Sequence, residues 1–260
     1  MTADTLSLTG KVAIVTGSGR ETGIGAGIAT ALARNGASVV INHVSDTTST
    51  RAAAVAQKIV DAGGKAVVVQ ADVSTKEGAE KLVQQSLEKL QVQHVDILVN
   101  NAAGGRPESF LTASPSSIET IFKSIVYAPI YMIQSVIPHM PRGGRIVNTG
   151  SVASKLGLGP TAVYGAAKAA VDALTFSTSM ELGRGYGVTI NTVMPGPVDT
   201  EALPKEVADK IHGALVPLTR AEERVGAVED IADAVLLLCS EKSRWVTGQV
   251  ISVSGGITGG

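Results

Sequence analysis

One cysteine, Cys239, stands in 260 residues, so no disulfide forms within the chain. That fits a reducing compartment, and a cytoplasmic location is expected. Charge of one sign is also lacking. The chain has 22 bases and 23 acids, for a net charge of −1. No field reaches out to nucleic acid or anionic lipid, so neither is an expected partner. Long apolar runs are missing as well. The longest, 125–133, falls far short of the ~20 residues that span a bilayer. Residues 1–10 carry no basic-then-apolar leader pattern. The histidines, His43, His94, His139 and His212, show no metal-ligand spacing, and no metal is expected. There is no linker, internal repeat or low-complexity stretch.

Glycine, in contrast, is abundant: 29 residues of 260, above the ~7% average. It has no period of three and is clustered, as where backbone approaches a ligand closely. Short apolar runs at Val12–Val15, 39–41, 66–69, 95–99, 145–148, 188–193 and 249–253 alternate with amphipathic stretches such as 51–62 and 76–90. Continuous apolar strands are buried on both faces, which belongs to parallel sheets covered by helices. The expected fold is α/β, a doubly wound parallel sheet of about seven strands flanked by helices, in one domain over 1–260. Ser114-Pro115 reads as a cap and first-turn proline opening a long helix.

The segment 16–25 follows the first strand and precedes the helical run 26–35. Its glycines, Gly17, Gly19, Gly23 and Gly25, let backbone approach a pyrophosphate whose charge the helix N-terminus stabilises. The plain alternative is a structural βα loop. Tyr164 and Lys168 stand at i and i+4, on one helix face. They follow the fifth strand, whose C-terminal end carries Ser151. Ligands of open α/β sheets bind outside the carboxyl ends of the strands. The plain alternative here is a surface tyrosine-lysine contact.

These segments, with 100–103 (Asn-Asn-Ala-Ala) and 195–200 (Pro-Gly-Pro-Val-Asp-Thr), occur in the order of the classical short-chain dehydrogenase/reductase family, which the chain resembles over roughly 8–257. The resemblance implies a single Rossmann-type domain with a cofactor-binding half, about 8–150, and a catalytic and substrate half, about 151–257. It implies Tyr164 as proton donor, Ser151 as hydrogen-bond donor to the carbonyl, and Lys168 holding the nicotinamide ribose. Gly17, Ser18, Gly19 and Arg20, then Gly23, Ile24 and Gly25, become candidate cofactor contacts. Asp72 and Val73 would flank the adenine, unless Asp72 is only a helix cap. Asn101, Ala102 and Ala103 would line the cleft, unless Asn101 serves a structural turn. Pro195 and Gly196 would lie under the carboxamide, with the Val198 backbone and Thr200 hydroxyl bonding it. A homotetramer is common in the family.

The magnitudes agree with the role of Tyr164. Bringing a phenol down about three units from ~10 takes roughly 4 kcal/mol. One cation about 4 Å away supplies about that at an effective dielectric of ~20.

NADPH is the expected cofactor, with NAD as the alternative. NAD sites place an acid after the second strand, and 41–45 has none. His43 stands about where the acid would be. Ser45 is the candidate donor to a 2′-phosphate, and Arg20 its neutralising cation.

Two positions depart from the family pattern. The turn from Gly17 to Gly23 is lengthened by Arg20-Glu21, which should bulge at the adenosine end. Ile125 stands where many members carry an asparagine thought to hold a relay water. Ser124 and Tyr127 point elsewhere on the helix. Pro129 lacks the N–H that would bond residue 125, which frees that carbonyl. A working enzyme is expected, with the Ile125 carbonyl or a nearby hydroxyl serving the relay.

The expected activity is NADPH-dependent reduction of an apolar ketone, 3-oxoacyl or aromatic and polyketide-like. Leu156, Leu158, Met194, Leu203 and Leu215 suggest the apolar ligand, and 201–225 lies where the family's variable lid lies. The alternatives are alcohol oxidation in the reverse direction and a non-catalytic nucleotide-binding scaffold.

Overall fold

The computed structural model describes residues 6–105 and 108–259. Of the expected domain 1–260, residues 1–5, 106, 107 and 260 lie outside the described residues.

Seven strands form one sheet in the order β3-β2-β1-β4-β5-β6-β7. They are β1 (Val12–Val15), β2 (Ser38–His43), β3 (Lys65–Gln70), β4 (Ile97–Asn100), β5 (Arg145–Thr149), β6 (Thr189–Pro195) and β7 (Val250–Val253). Every pairing is parallel. Each expected apolar run became a strand, with boundaries moved by a residue or two. Just before β4, the Asp96 carboxylate accepts the Val12 N–H at 2.9 Å and pairs with Lys11.

The helices are α1 (Ile24–Arg34), α2 (Ser49–Asp61), α3 (Lys76–Leu90), α4 (Pro115–Phe122), α5 (Ala128–Val136), α6 (Ala153–Leu156), α7 (Ala162–Glu181), α8 (Lys205–Leu215) and α9 (Val228–Cys239). Strand alternation divides the core. Ala13 and Val15 belong to one buried cluster with apolar residues of α1, α2 and α9. Val12 and Ile14 belong to the other, with α3 and α5. Each buried valine or isoleucine side chain contributes about 1.5–3 kcal/mol. Both faces of β1 are covered, which is why it reads as an unbroken apolar run.

The long helix expected from Ser114-Pro115 has that start: Ser114 Oγ accepts the Ser117 N–H at 3.2 Å. It is not uniform. A π-turn, Lys123–Tyr127, joins α4 to α5, and the Ala128 N–H reaches back to the Lys123 carbonyl. Pro129 stands just inside α5 and has no N–H to offer the carbonyl behind it. The joined helical stretch Pro115–His139 is long and apolar enough to cross a membrane by length and composition. Counting unbroken apolar runs did not show this. Its α5 part packs Met132, Ile133 and Val136 into the core beside α3, as a core helix does.

Candidate active site

The strand order reverses at β1, where consecutive connections pass to opposite sides of the sheet. In open α/β sheets the binding crevice lies at that point, outside the carboxyl ends of the strands, and residues 16–25 follow the carboxyl end of β1. Gly17 has φ +62°, and a Cβ on it would lie 2.8 Å from the Ala102 Cα. A Cβ on Gly25 would lie 2.8 Å from the Gly17 carbonyl. Only glycine fits this doubled-back turn.

Behind it, Thr16 Oγ1 accepts N–H bonds from Asn101 at 2.9 Å and Ala102 at 3.0 Å. Asn101 Nδ2 donates to the Thr16 carbonyl at 3.0 Å and the Gly17 carbonyl at 3.1 Å. Asn101 thus braces the turn. Ser18 is buried; its hydroxyl donates to the Val15 carbonyl at 2.7 Å and accepts the Asn42 N–H at 3.0 Å. Asn42 escaped the sequence reading. Its Oδ1 accepts the Gly17 N–H at 3.0 Å and its Nδ2 donates to the Ala71 carbonyl at 3.1 Å. A lone asparagine ending an apolar strand was the available signal.

The helix α1 then starts with Ile24. Its N-cap Gly23 offers no side-chain cap, and no acid stands in the first turn. Its free N–H groups and dipole are left for an anion. The turn, the brace and this helix end fit a dinucleotide's pyrophosphate.

The adenosine end is packed differently from expectation. Gly19 is buried, and a Cβ on it would lie 3.0 Å from the Ala52 Cβ and 3.1 Å from the His43 Cβ. The His43 ring is buried, with Nδ1 3.0 Å from the Ser45 carbonyl. The Ser45 hydroxyl lies 2.8 Å from the Thr47 hydroxyl. Arg20 and Glu21 are exposed, as a bulge implies, but Glu21 is tied to Lys58 of α2 at 2.6 Å. The cation drawn across the crevice is Arg51 rather than Arg20. Arg51 pairs with Glu201, which also bonds Thr22. Both members lie beyond the glycine motif and carried no spacing signal.

Asp72 Oδ1 accepts from the Ser74 N–H at 3.0 Å and the Ser74 hydroxyl at 2.7 Å, just before α3. Val73 is buried in the core. Ala103 is exposed. Pro195 ends β6. A Cβ on Gly196 would lie 3.0 Å from the Ser254 Cα. Val198 bridges to Gly226, and Thr200 Oγ1 accepts the Ala202 N–H at 3.4 Å.

At the end of β5 the chain brings Ser151, Tyr164 and Lys168 together. The Tyr164 and Ser151 hydroxyls are hydrogen-bonded. Lys168 Nζ lies 5.7 Å from the Tyr164 ring centroid and donates to the Thr149 carbonyl at 2.6 Å. This corrects one expectation. Burial pushes the Tyr164 phenol above its ordinary value, and only the Ser151 hydrogen bond pulls it back. The Lys168 ammonium donates to the Thr149 backbone carbonyl. Burial brings Lys168 itself down to about 8, while Asp172 acts to raise it.

Ile125 is buried with Ile121, Ala167 and Val171, and Tyr164 packs against this cluster. The Ser124 hydroxyl is engaged with Gly104, accepting its N–H at 2.9 Å. Of the apolar residues assigned to a ligand, Met194 and Leu215 are core, clustered with Val152 and Ile257. Leu156 and Leu158 pack against that cluster from the rim, and Leu203 is exposed.

The family model described as Enoyl-(Acyl carrier protein) reductase matches residues 17–258. The short-chain dehydrogenase/reductase FrzI of Cladobotryum sp is 40% identical over 256 residues, covering 96% of this chain and 97% of FrzI. The hydroxynaphthalene reductase-like protein Arp2 of Metarhizium robertsii is 35% identical over 268 residues, with 96% of each covered. The crystal structure of the angucycline C-6 ketoreductase LanV with bound NADP superposes with a TM-score of 0.87 at 32% identity, covering 96% of each chain. The chain belongs to the classical short-chain dehydrogenase/reductase family. It is an NAD(P)-dependent short-chain oxidoreductase acting on CH–OH and C=O groups.

Proposed function

We propose that this enzyme reduces the carbonyl of an apolar, aromatic or polyketide-like ketone with NADPH. The observation that carries the reading is the Ser151–Tyr164 hydroxyl pair beside the buried Lys168, at the carboxyl end of β5. LanV and Arp2, whose names refer to an angucycline ketone and a hydroxynaphthalene, support the substrate class. LanV binds NADP. This chain has no acid at the end of β2 to bond a ribose 2′-hydroxyl, and Arg51 stands nearby as a cation.

The nicotinamide, when bound, supplies the hydride. Residues 17–25 and the α1 N-terminus hold the pyrophosphate; Val198 and Thr200 hold the carboxamide. The Ser151 hydroxyl donates to the carbonyl oxygen and stabilises the charge that develops there. The Tyr164 hydroxyl, kept protonated at neutral pH by burial, gives its proton to the same oxygen. Lys168 holds the ribose and faces the Tyr164 ring. The cofactor-binding half is 8–150 and the catalytic half 151–257, within one domain. Alcohol oxidation is the same chemistry reversed.

A cytoplasmic homotetramer is part of the proposal. Exposed Phe176 and Met180 on α7, Leu237 on α9 and Trp245 supply apolar surface for partners. The test is NADPH consumption by the purified protein with tetralones, other aromatic ketones and a 3-oxoacyl thioester. Cofactor binding without turnover on any of these would favour a nucleotide-binding scaffold, the reading to which Ile125 points.

A further inference from the structure

Asp172 is a half-buried acid that the steps above do not use. It follows Tyr164 and Lys168 at i+8 and i+4, on the same face of α7. Its Oδ2 accepts the Ser154 hydroxyl at 2.8 Å, and that hydroxyl is also 2.9 Å from the Ser151 carbonyl. Its Oδ1 is buried and has no hydrogen-bond partner among the described residues. A carboxylate oxygen left so in a well-formed core calls for an explanation. The space it occupies is reserved: a Cβ on Gly150 would lie 3.3 Å from that Oδ1.

Gly150 sits between the two groups that matter most. Thr149 supplies the carbonyl that receives the Lys168 ammonium. Ser151 supplies the hydroxyl bonded to Tyr164.

We propose that Asp172 is a positioning residue for the catalytic pair, its carboxylate serving as the countercharge that keeps Lys168 an ammonium ion while bracing the 149–151 backbone. The inference rests on the reductase reading for its kinetic test, but not for its stability test.

Two cations face Asp172. Burial raises its pKa, and the Ser154 hydrogen bond, then Lys155 of α6 and Lys168 of α7, act to lower it. Ser154 of α6 is its hydrogen-bond donor. Met194 of β6 closes the cluster, with Sδ 3.5 Å from Ser154 Oγ. Lys155 is exposed, so its charge is screened by water. Lys168 is buried, and Asp172 is the one charge that acts to raise its pKa. Burial alone moves Lys168 toward the neutral amine, and Asp172 opposes that shift. With Asp172 neutralised, Lys168 loses its proton at lower pH.

The test is Asp172→Asn, which keeps the size and a group able to accept from Ser154. Lysine required in its charged form sets an alkaline limit on reductive kcat/KM. That limb should move to lower pH by about half a unit or more. At pH 7 most of Lys168 stays charged, so kcat should fall by less than about twofold, the loss growing to about threefold near pH 8.5. Asp172→Glu, which restores a carboxylate, should bring the limb back.

A second readout needs no substrate. A lysine whose folded pKa lies near 8, below its ordinary 10.5, makes stability rise with pH between those values. In Asp172→Asn the rise in thermal midpoint should begin at lower pH than in the parent. If Asp172→Asn does not fold, Asp172→Ser removes the same charge with less bulk. A lower rate with both curves unmoved overturns the proposal and leaves Asp172 a packing residue. If the parent turns over no carbonyl, the reductase reading fails, while the stability curve still decides the role of Asp172.

Discussion

The two ends of the crevice are built in opposite ways. At the catalytic end, Ser151, Tyr164 and Lys168 sit on the rigid exit of β5 and on α7, and the Lys168 ammonium is buried and bonded to backbone. A polar string runs beneath: Asn100 to Asn148 at 2.9 Å, Asn148 to Thr175 at 2.9 Å, and Thr175 to Thr192 at 2.8 Å. Buried networks of this kind fix geometry, since each member left unpaired is costly. At the adenosine end the longer turn is held by exposed ion pairs, Glu21 with Lys58 and Arg51 with Glu201. Such pairs contribute about 0–1 kcal/mol and are screened by salt. One end is set by buried chemistry that tolerates little change. The other is held by surface charge that can exchange partners when a nucleotide arrives.

The sharpest way to break this contrast is Tyr164→Phe. The ring and its packing stay while the proton is lost. Turnover should fall by at least about a hundredfold, with cofactor affinity nearly intact by fluorescence titration. Turnover within about threefold of the parent would remove Tyr164 as the acid.

Lys168→Met should cost turnover by a similar factor, about a hundredfold, yet make the free protein more stable. Burial holds the lysine at about 8, so below that pH the folded chain carries a desolvated charge that methionine does not. The gain in thermal midpoint should be full below pH about 8 and fade toward 10.5. A midpoint that falls at pH 7 would mean that the Thr149 bond outweighs the desolvation.

At the other end, Arg51→Gln should weaken NADPH binding by about tenfold, the size of one charge-assisted bond, and leave NADH unchanged. Arg20→Ala should do less, because Arg20 is exposed and has no ion-pair partner across the crevice among the described residues. An equal loss for both cofactors would place Arg51 in lid closure rather than in reading the 2′-phosphate.

The same contrast explains what could be read in the sequence. The sheet was legible because its central strands are buried on both faces and carry apolar runs, although the edge strands β3 and β7 are only partly buried. The grouping proposed as catalytic was legible because Tyr164 and Lys168 share a helix face after β5. The environment of those residues was not. That Lys168 turns to Thr149 depends on backbone brought in from β5, and the burial of Tyr164 depends on Ile121, Ile125 and Val171. Arg51 and Glu201 are far apart in sequence and belong to no motif, so only the folded chain shows them meeting. Met194 and Leu215 looked like ligand contacts because core and pocket use the same apolar residues.

The smallest effect is expected at Ile125. The side chain is 2% exposed and packs with Ile121, Ala167 and Val171. Asn at this position would place an amide among aliphatic groups, at a cost of about 1–3 kcal/mol if it finds no partner. Ile125→Asn should therefore lower the thermal midpoint. Its effect on turnover should be slight, a rise of no more than about threefold, with cofactor choice unchanged. The reason lies in the backbone. The π-turn Lys123–Tyr127 redirects the Ala128 N–H to Lys123, and Pro129 offers none. A carbonyl is thereby left without its usual helical donor, at the position where an asparagine side chain would otherwise hold water. If the relay uses that carbonyl, Pro129→Ala should slow turnover more than Ile125→Asn changes it, because alanine restores an N–H donor. If Pro129→Ala has no effect while Ile125→Asn raises turnover severalfold, the side chain is the missing part and the backbone is not its substitute.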